Sequence, residues 1–110
     1  MNTIKSVGID IIEIDRMQLL PKLIARYLSQ DEIKEFENIK SKKLKKQFLA
    51  GKWALKEALY KALPFEHLVF DKINIIKNQS GQPTVKIKDY QISLSLSHNQ
   101  TSVIAIAVIF

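Results

Sequence analysis

Residues Ser41 or Lys42 to about Leu63 carry one uninterrupted helical pattern that is apolar on two sides. Leu44, Phe48, Gly51, Leu55, Leu59 and Ala62 share one narrow face at about 100° per residue, and Leu49, Trp53 and Tyr60 form a second stripe nearly opposite. A helix patterned in this way is buried between two layers. The chain has 110 residues, enough for one hydrophobic core and a single domain spanning 1–110. In so small a chain, another subunit can furnish one of the two layers.

The remaining segments must supply what packs on that helix. Ile4 to Ile14 is rich in β-branched residues and predicts a strand, with Val7, Ile9 and Ile11 on one face and Gly8, Asp10, Ile12 and Ile14 on the other. Both faces are largely apolar, so the strand is expected to be covered on both sides. From Asp15 the period turns helical through Met17, Leu20, Leu23, Ile24 and Leu28, with Pro21 as a break or first-turn residue. Ser29 and Glu32 have capping-box spacing and open a short helix carrying Ile33, Phe36 and Ile39. Pro64 ends the long helix. Lys72–Lys77 and Thr84–Lys88 are predicted to pair as a hairpin around Asn78-Gln79-Ser80-Gly81. Ile92, Leu94 and Leu96 then alternate with serines up to His98, and Ser102–Phe110 forms the last strand. Strand, three helices, four strands: the order predicts an α+β fold with a mainly antiparallel sheet.

Composition removes several chemistries. There is no cysteine, so disulfides, thiolate metal sites and cysteine nucleophiles are excluded. With only two histidines, any metal would be held by carboxylates and would be a hard ion such as Mg²⁺. No apolar run approaches the ~18–20 residues of a membrane span, and Asp10, Glu13 and Asp15 interrupt any signal-peptide pattern. A cytoplasmic location is expected. The net charge of +6 favours an acidic partner, and the lysines between Lys40 and Lys56 concentrate it.

Asp10, set among isoleucines, is costly to bury unless paired with a cation; otherwise it lies at an exposed sheet end or caps the next helix. Glu57 stands one turn from Trp53 and one from Lys61, beside Ala50 and Ala54. Those small neighbours leave room for a bulky group, or Glu57 forms an ordinary i,i+4 pair with Lys61. His98 ends a strand, a place more typical of a hydrogen-bonded surface histidine than of a catalyst. There is no nucleophile elbow, P-loop or dinucleotide fingerprint.

Four segments together resemble the holo-acyl-carrier-protein synthases of the 4′-phosphopantetheinyl transferase superfamily. Val7 to Arg16 is similar to that family's opening strand motif, and Phe48 to Ala62 to its central aromatic-x-x-K-E-A-x-x-K-A signature. Gly81-Gln82-Pro83 resembles its G-x-P turn, and Ser95-Leu96-Ser97-His98 its S-x-S-H strand end. The resemblance implies transfer of 4′-phosphopantetheine from coenzyme A to a serine of apo-acyl carrier protein, releasing adenosine 3′,5′-bisphosphate. It implies Mg²⁺ on Asp10 and Glu57, Lys61 near the phosphates, and Lys52, Pro83 and His98 around the nucleotide of coenzyme A. The serine proton would pass to a metal-bound water or to Glu57. Arg16 and Arg26 match positions that meet the acidic carrier protein, and the family is a homotrimer with interface active sites.

The chain departs from the family pattern at two places. Lys61-Ala62-Leu63-Pro64-Phe65-Glu66 stands where members usually continue K-A-L-G-T-G, and Lys52 stands where arginine is common. The alternative reading is a small basic nucleic-acid-binding or ribosome-associated protein without enzymatic activity, using the Lys40–Lys46 run as its contact surface.

Overall fold

Small residues decide where the long helix sits. A computed structural model describes residues 3–110 and places the helix, α3, at Lys42–Ala62. Ala50, Ala54, Ala58 and Ala62 recur every fourth residue along it and are all buried. They face a three-stranded antiparallel sheet in which β5 (Ser102–Ile109) lies between β1 (Ser6–Glu13) and β4 (Ile92–His98). The register pairs Gly8 with Ala107 and Asp10 with Ala105, so the face against α3 is also built from small residues. At Gly8 the approach is extreme: a Cβ there would lie 1.9 Å from the Ala58 carbonyl oxygen. Only glycine allows strand and helix backbones to meet so closely.

The other side of α3 is covered by α1 (Pro21–Tyr27) and α2 (Gln30–Glu37). Pro21 occupies the first turn of α1, where its missing N–H costs nothing. Ser29 and Glu32 form the capping box of α2 reciprocally, at 3.2 and 2.9 Å. Both layers around α3 therefore come from this chain, not from a second subunit as the two stripes alone allowed. The cover missing from one chain lies elsewhere. β1 was expected to be enclosed on both faces, yet Val7, Ile9 and Ile11 are 51%, 53% and 64% exposed. Ile104, opposite Ile11 on β5, extends this apolar outer face.

The hairpin exists but is much shorter than expected, with β2 at Ile76–Lys77 and β3 at Pro83–Thr84. Gly81 turns it with φ 86°. The upstream residues do not extend the ladder because α2 and α3 satisfy their backbone. Ile75 donates its N–H to Glu32 Oε2 at 2.9 Å, and its carbonyl accepts from Lys52 Nζ at 3.3 Å. Downstream, Lys88 adopts a left-handed φ of 49° that breaks extension. No helix of the described residues is long and apolar enough to cross a membrane.

Candidate active site

β1 runs antiparallel to α3. Gly8 abuts the turn Ala58–Ala62, while Ile14 shares a cleft with Lys43, Lys46 and Gln47 near the start of the helix. Two strand residues advance about 6.6 Å and a helix rises about 1.5 Å per residue, so Asp10 lies level with the turn that carries Glu57. The Asp10 side chain is only 17% exposed, and Oδ1 accepts from Lys61 Nζ at 3.1 Å. The same ammonium donates to the Ile9 carbonyl at 3.0 Å. Asp10 thus has the cation that its burial demanded, and it is neither a cap nor a bare sheet end.

Lys61 is therefore not the partner of Glu57, and the i,i+4 expectation fails. Glu57 Oε1 accepts instead from Trp53 Nε1 at 3.3 Å, one turn earlier. Trp53 is stacked on Tyr27 of α1 with ring centroids 3.9 Å apart. Glu57 lines a cleft with Arg26, Tyr27, Tyr60, Phe70 and Asp71. Burial raises the Tyr27 hydroxyl pKa, Arg26 opposes that shift, and Glu57 adds to it. Ala50 and Ala54 leave no empty space beside Glu57, since both are fully buried against neighbouring elements.

Two lysines of α3 are buried. Lys56 Nζ donates to Glu32 Oε1 at 2.6 Å and to the carbonyls of Tyr27 and Phe70, both at 2.8 Å. All three of its protons are used, and one side chain ties α1, α2 and the Phe70 turn to α3. Burial lowers the pKa of Lys56, with the Glu32 hydrogen bond opposing it. Burial likewise lowers that of Lys52, again offset by Glu32. Composition offered one signal for this pair: lysines at i and i+4 interleaved with the apolar positions Leu49, Leu55 and Leu59. Glu32, in turn, was legible only as a cap.

Lys52, Pro83 and His98 do converge. With Phe48, Gly51 and Leu96 they line a cavity of about 470 Å³ between α3, the hairpin and the end of β4. The Gln47 side-chain amide lies 3.1 Å from His98 Nδ1 and holds the imidazole at the cavity rim. Lys52 Nζ also lies 5.2 Å from the Phe48 ring centroid. An apolar wall with a few cationic and imidazole groups suits a flat, anionic ligand.

That arrangement has counterparts. The profile of the 4′-phosphopantetheinyl transferase superfamily matches residues 6–108. The chain belongs to this superfamily. A holo-acyl-carrier-protein synthase of Mycoplasma capricolum is 42% identical over 106 residues, covering 96% of this chain and 94% of its own. The Staphylococcus aureus (strain Newman) synthase is 36% identical over 104 residues, 88% and 87% of the two chains. Among solved structures, the Bacillus anthracis synthase in complex with CoA (3′,5′-ADP) superposes with a TM-score of 0.87 at 30% identity, covering 96% of both chains. The fold expected from the sequence, an N-terminal strand, a long central helix and antiparallel strands, is the fold of these transferases.

Within the superfamily framework the predicted residues fall into separate groups. Asp10, Glu57 and Lys61 share one flank of α3 with β1, whereas Lys52, Pro83 and His98 line a cavity that includes none of them. Arg16 and Arg26 are both exposed, at the turn after β1 and on α1. Among the described residues, no three histidine or carboxylate side chains gather as a metal site. Two carboxylates nevertheless fit Mg²⁺, which keeps waters and takes phosphate oxygens at its other positions. Asp10 and Glu57 each give one oxygen to a protein donor and keep the other without one among the described residues.

Proposed function

We propose that this chain transfers the 4′-phosphopantetheine of coenzyme A to a serine hydroxyl of apo-acyl carrier protein, releasing adenosine 3′,5′-bisphosphate. The observation that carries this reading is the half-buried Asp10 held by Lys61 on the flank of α3 that bears Glu57, in a chain matching the superfamily over nearly its whole length. Asp10 and Glu57 would hold Mg²⁺, which when bound would supply charge neutralisation at the phosphate undergoing in-line attack by the serine oxygen. Lys61, 52% exposed at its side chain, is free to add a contact to phosphate while keeping Asp10 oriented. Lys52, Pro83 and His98 receive the nucleotide. Arg16, Arg26 and the Lys40–Lys46 run present positive charge to an acidic carrier protein in the cytoplasm.

The active assembly is a homotrimer. One chain leaves Val7, Ile9 and Ile11 uncovered and keeps its carboxylates apart from its nucleotide cavity. Packing copies through the outer sheet face covers the first and lets one chain's carboxylates serve another's cavity. Light scattering should return about three times 12.6 kDa. The alternative of a nucleic-acid-binding protein finds no support, since the relatives are named as synthases. The deciding experiment incubates the protein with coenzyme A, Mg²⁺ and apo-carrier protein and weighs the carrier. Transfer adds about 340 Da, the mass of the cofactor-borne group. Asp10→Ala should abolish the addition; an Asp10→Ala protein active at limiting Mg²⁺ would remove the metal assignment.

A further inference from the structure

We infer that Trp53 is a positioning residue for the Glu57 carboxylate, and that it ties this carboxylate to α1. The inference rests on the reading above, in which Glu57 holds Mg²⁺. A glutamate on a helix surface has three rotatable bonds, and holding it in one rotamer costs entropy each time a ligand is gripped. Here one oxygen is already fixed: Glu57 Oε1 accepts the indole N–H of Trp53 at 3.3 Å. The indole is itself fixed, because its ring lies 3.9 Å from that of Tyr27 with planes 19° apart. Tyr27 is anchored in turn through its backbone, whose carbonyl accepts from the buried Lys56 at 2.8 Å. The chain of contacts runs from the end of α1, next to the exposed Arg26, to the carboxylate one turn along α3. Oε2 has no protein donor among the described residues and is the oxygen that would be offered to a cation. A phenylalanine at position 53 would keep one aromatic ring against Tyr27 but lose the second ring and the donor, whereas a benzothienyl side chain would keep the bicyclic shape and lose only the donor.

The test measures metal binding directly. Bound Mn²⁺ is counted by its electron paramagnetic resonance signal, with coenzyme A present and no carrier protein, for the wild type, Trp53→Phe and Glu57→Gln. Trp53→Phe should bind Mn²⁺ about fivefold to tenfold more weakly, the scale of freeing one glutamate side chain. Its thermal midpoint should fall modestly through the lost ring, while its affinity for coenzyme A without metal should stay as in the wild type. If Trp53→Phe loses folded structure, β-(3-benzothienyl)alanine at position 53 replaces the N–H by sulfur in a ring of the same shape, and the same weakening is expected. Unchanged Mn²⁺ affinity in a folded variant overturns the positioning role alone. A wild type that binds no Mn²⁺, with Glu57→Gln fully active in transfer, overturns the metal reading and this inference with it.

Discussion

Replacing Gly8 by alanine tests whether the contact between β1 and α3 sets the site. The added Cβ would lie 1.9 Å from the Ala58 carbonyl oxygen and 2.9 Å from the Ala62 nitrogen. These are backbone atoms inside a helix and cannot rotate away. Moving from 1.9 Å to the 3.4 Å of ordinary contact opens the gap by about 1.5 Å. Among the described residues β1 is paired along one edge, with β5, so it is the element that yields. Overpacking of this kind costs about 1–3 kcal/mol, and a clash with backbone belongs at the upper end. The larger effect is on chemistry. Asp10 is two residues from Gly8 on the same strand face, and a displacement of about 1 Å at a reacting centre can cost about 100-fold in rate. Gly8→Ala should therefore lose about 100-fold or more in transfer while the chain is still folded. Nucleotide binding at Lys52, Pro83 and His98 should persist. Urea unfolding gives the stability, and mass spectrometry of the carrier protein gives the rate. A Gly8→Ala protein with the wild-type rate and midpoint would refute the reasoning.

Lys56→Met should destabilise the fold by about 3–5 kcal/mol, since it strands a buried carboxylate. The partner Glu32 is only 2% exposed. Adding Glu32→Gln should recover part of the loss; a urea midpoint within error of the wild type for Lys56→Met would exclude the anchoring role. Glu66 is held below its ordinary pKa by hydrogen bonds from Lys88 and Tyr90. Its contribution is thus complete above pH 4.5 and fades as pH falls through the lowered value. Glu66→Gln should flatten the acid limb of a melting-temperature profile, and superimposable limbs would count against this. Arg16→Glu should raise KM for the carrier protein and leave KM for coenzyme A nearly unchanged. That damage should shrink at higher salt, where exposed charges are screened over about 8 Å; equal damage to both KM values would sink charge-led docking.

The long helix, both long C-terminal strands and the α2 capping box were legible because each rests on local periodicity or a fixed spacing. The hairpin strands were overextended because Ile75 finds its hydrogen bonds on Glu32 and Lys52, partners remote in sequence. The alanines of α3 invited the idea of a vacant surface, yet their smallness serves the sheet. The candidate site residues came from the resemblance of ordered motifs. Residue chemistry added only that Asp10 needed a cation, and Lys61 supplied it from 51 positions away. The Trp53–Glu57 bond joins residues one turn apart, but nothing in the spacing distinguishes an indole that donates from one that only packs.

The ladder of β1 also fixes an order of events. Among the described residues its one strand partner is β5, in a register that runs from Ser6 opposite Ile109 to Glu13 opposite Ser102. During synthesis β1, which bears Asp10, is made before α1, α2 and α3 and cannot pair until β5 has followed them. Closing so long a loop carries an entropy cost that rises only as the logarithm of its length, but such distant pairings make folding slow. α3, with Glu57 and Lys61 already on one flank, can form well before Asp10 is docked beside them. A nascent chain, or one cut short before Ser102, would carry the Glu57 and Lys61 proposed for the site on a helix and leave Asp10 without a sheet to hold it. Under the proposed function, transfer therefore requires β5, and a product cut short before Ser102 would not support it.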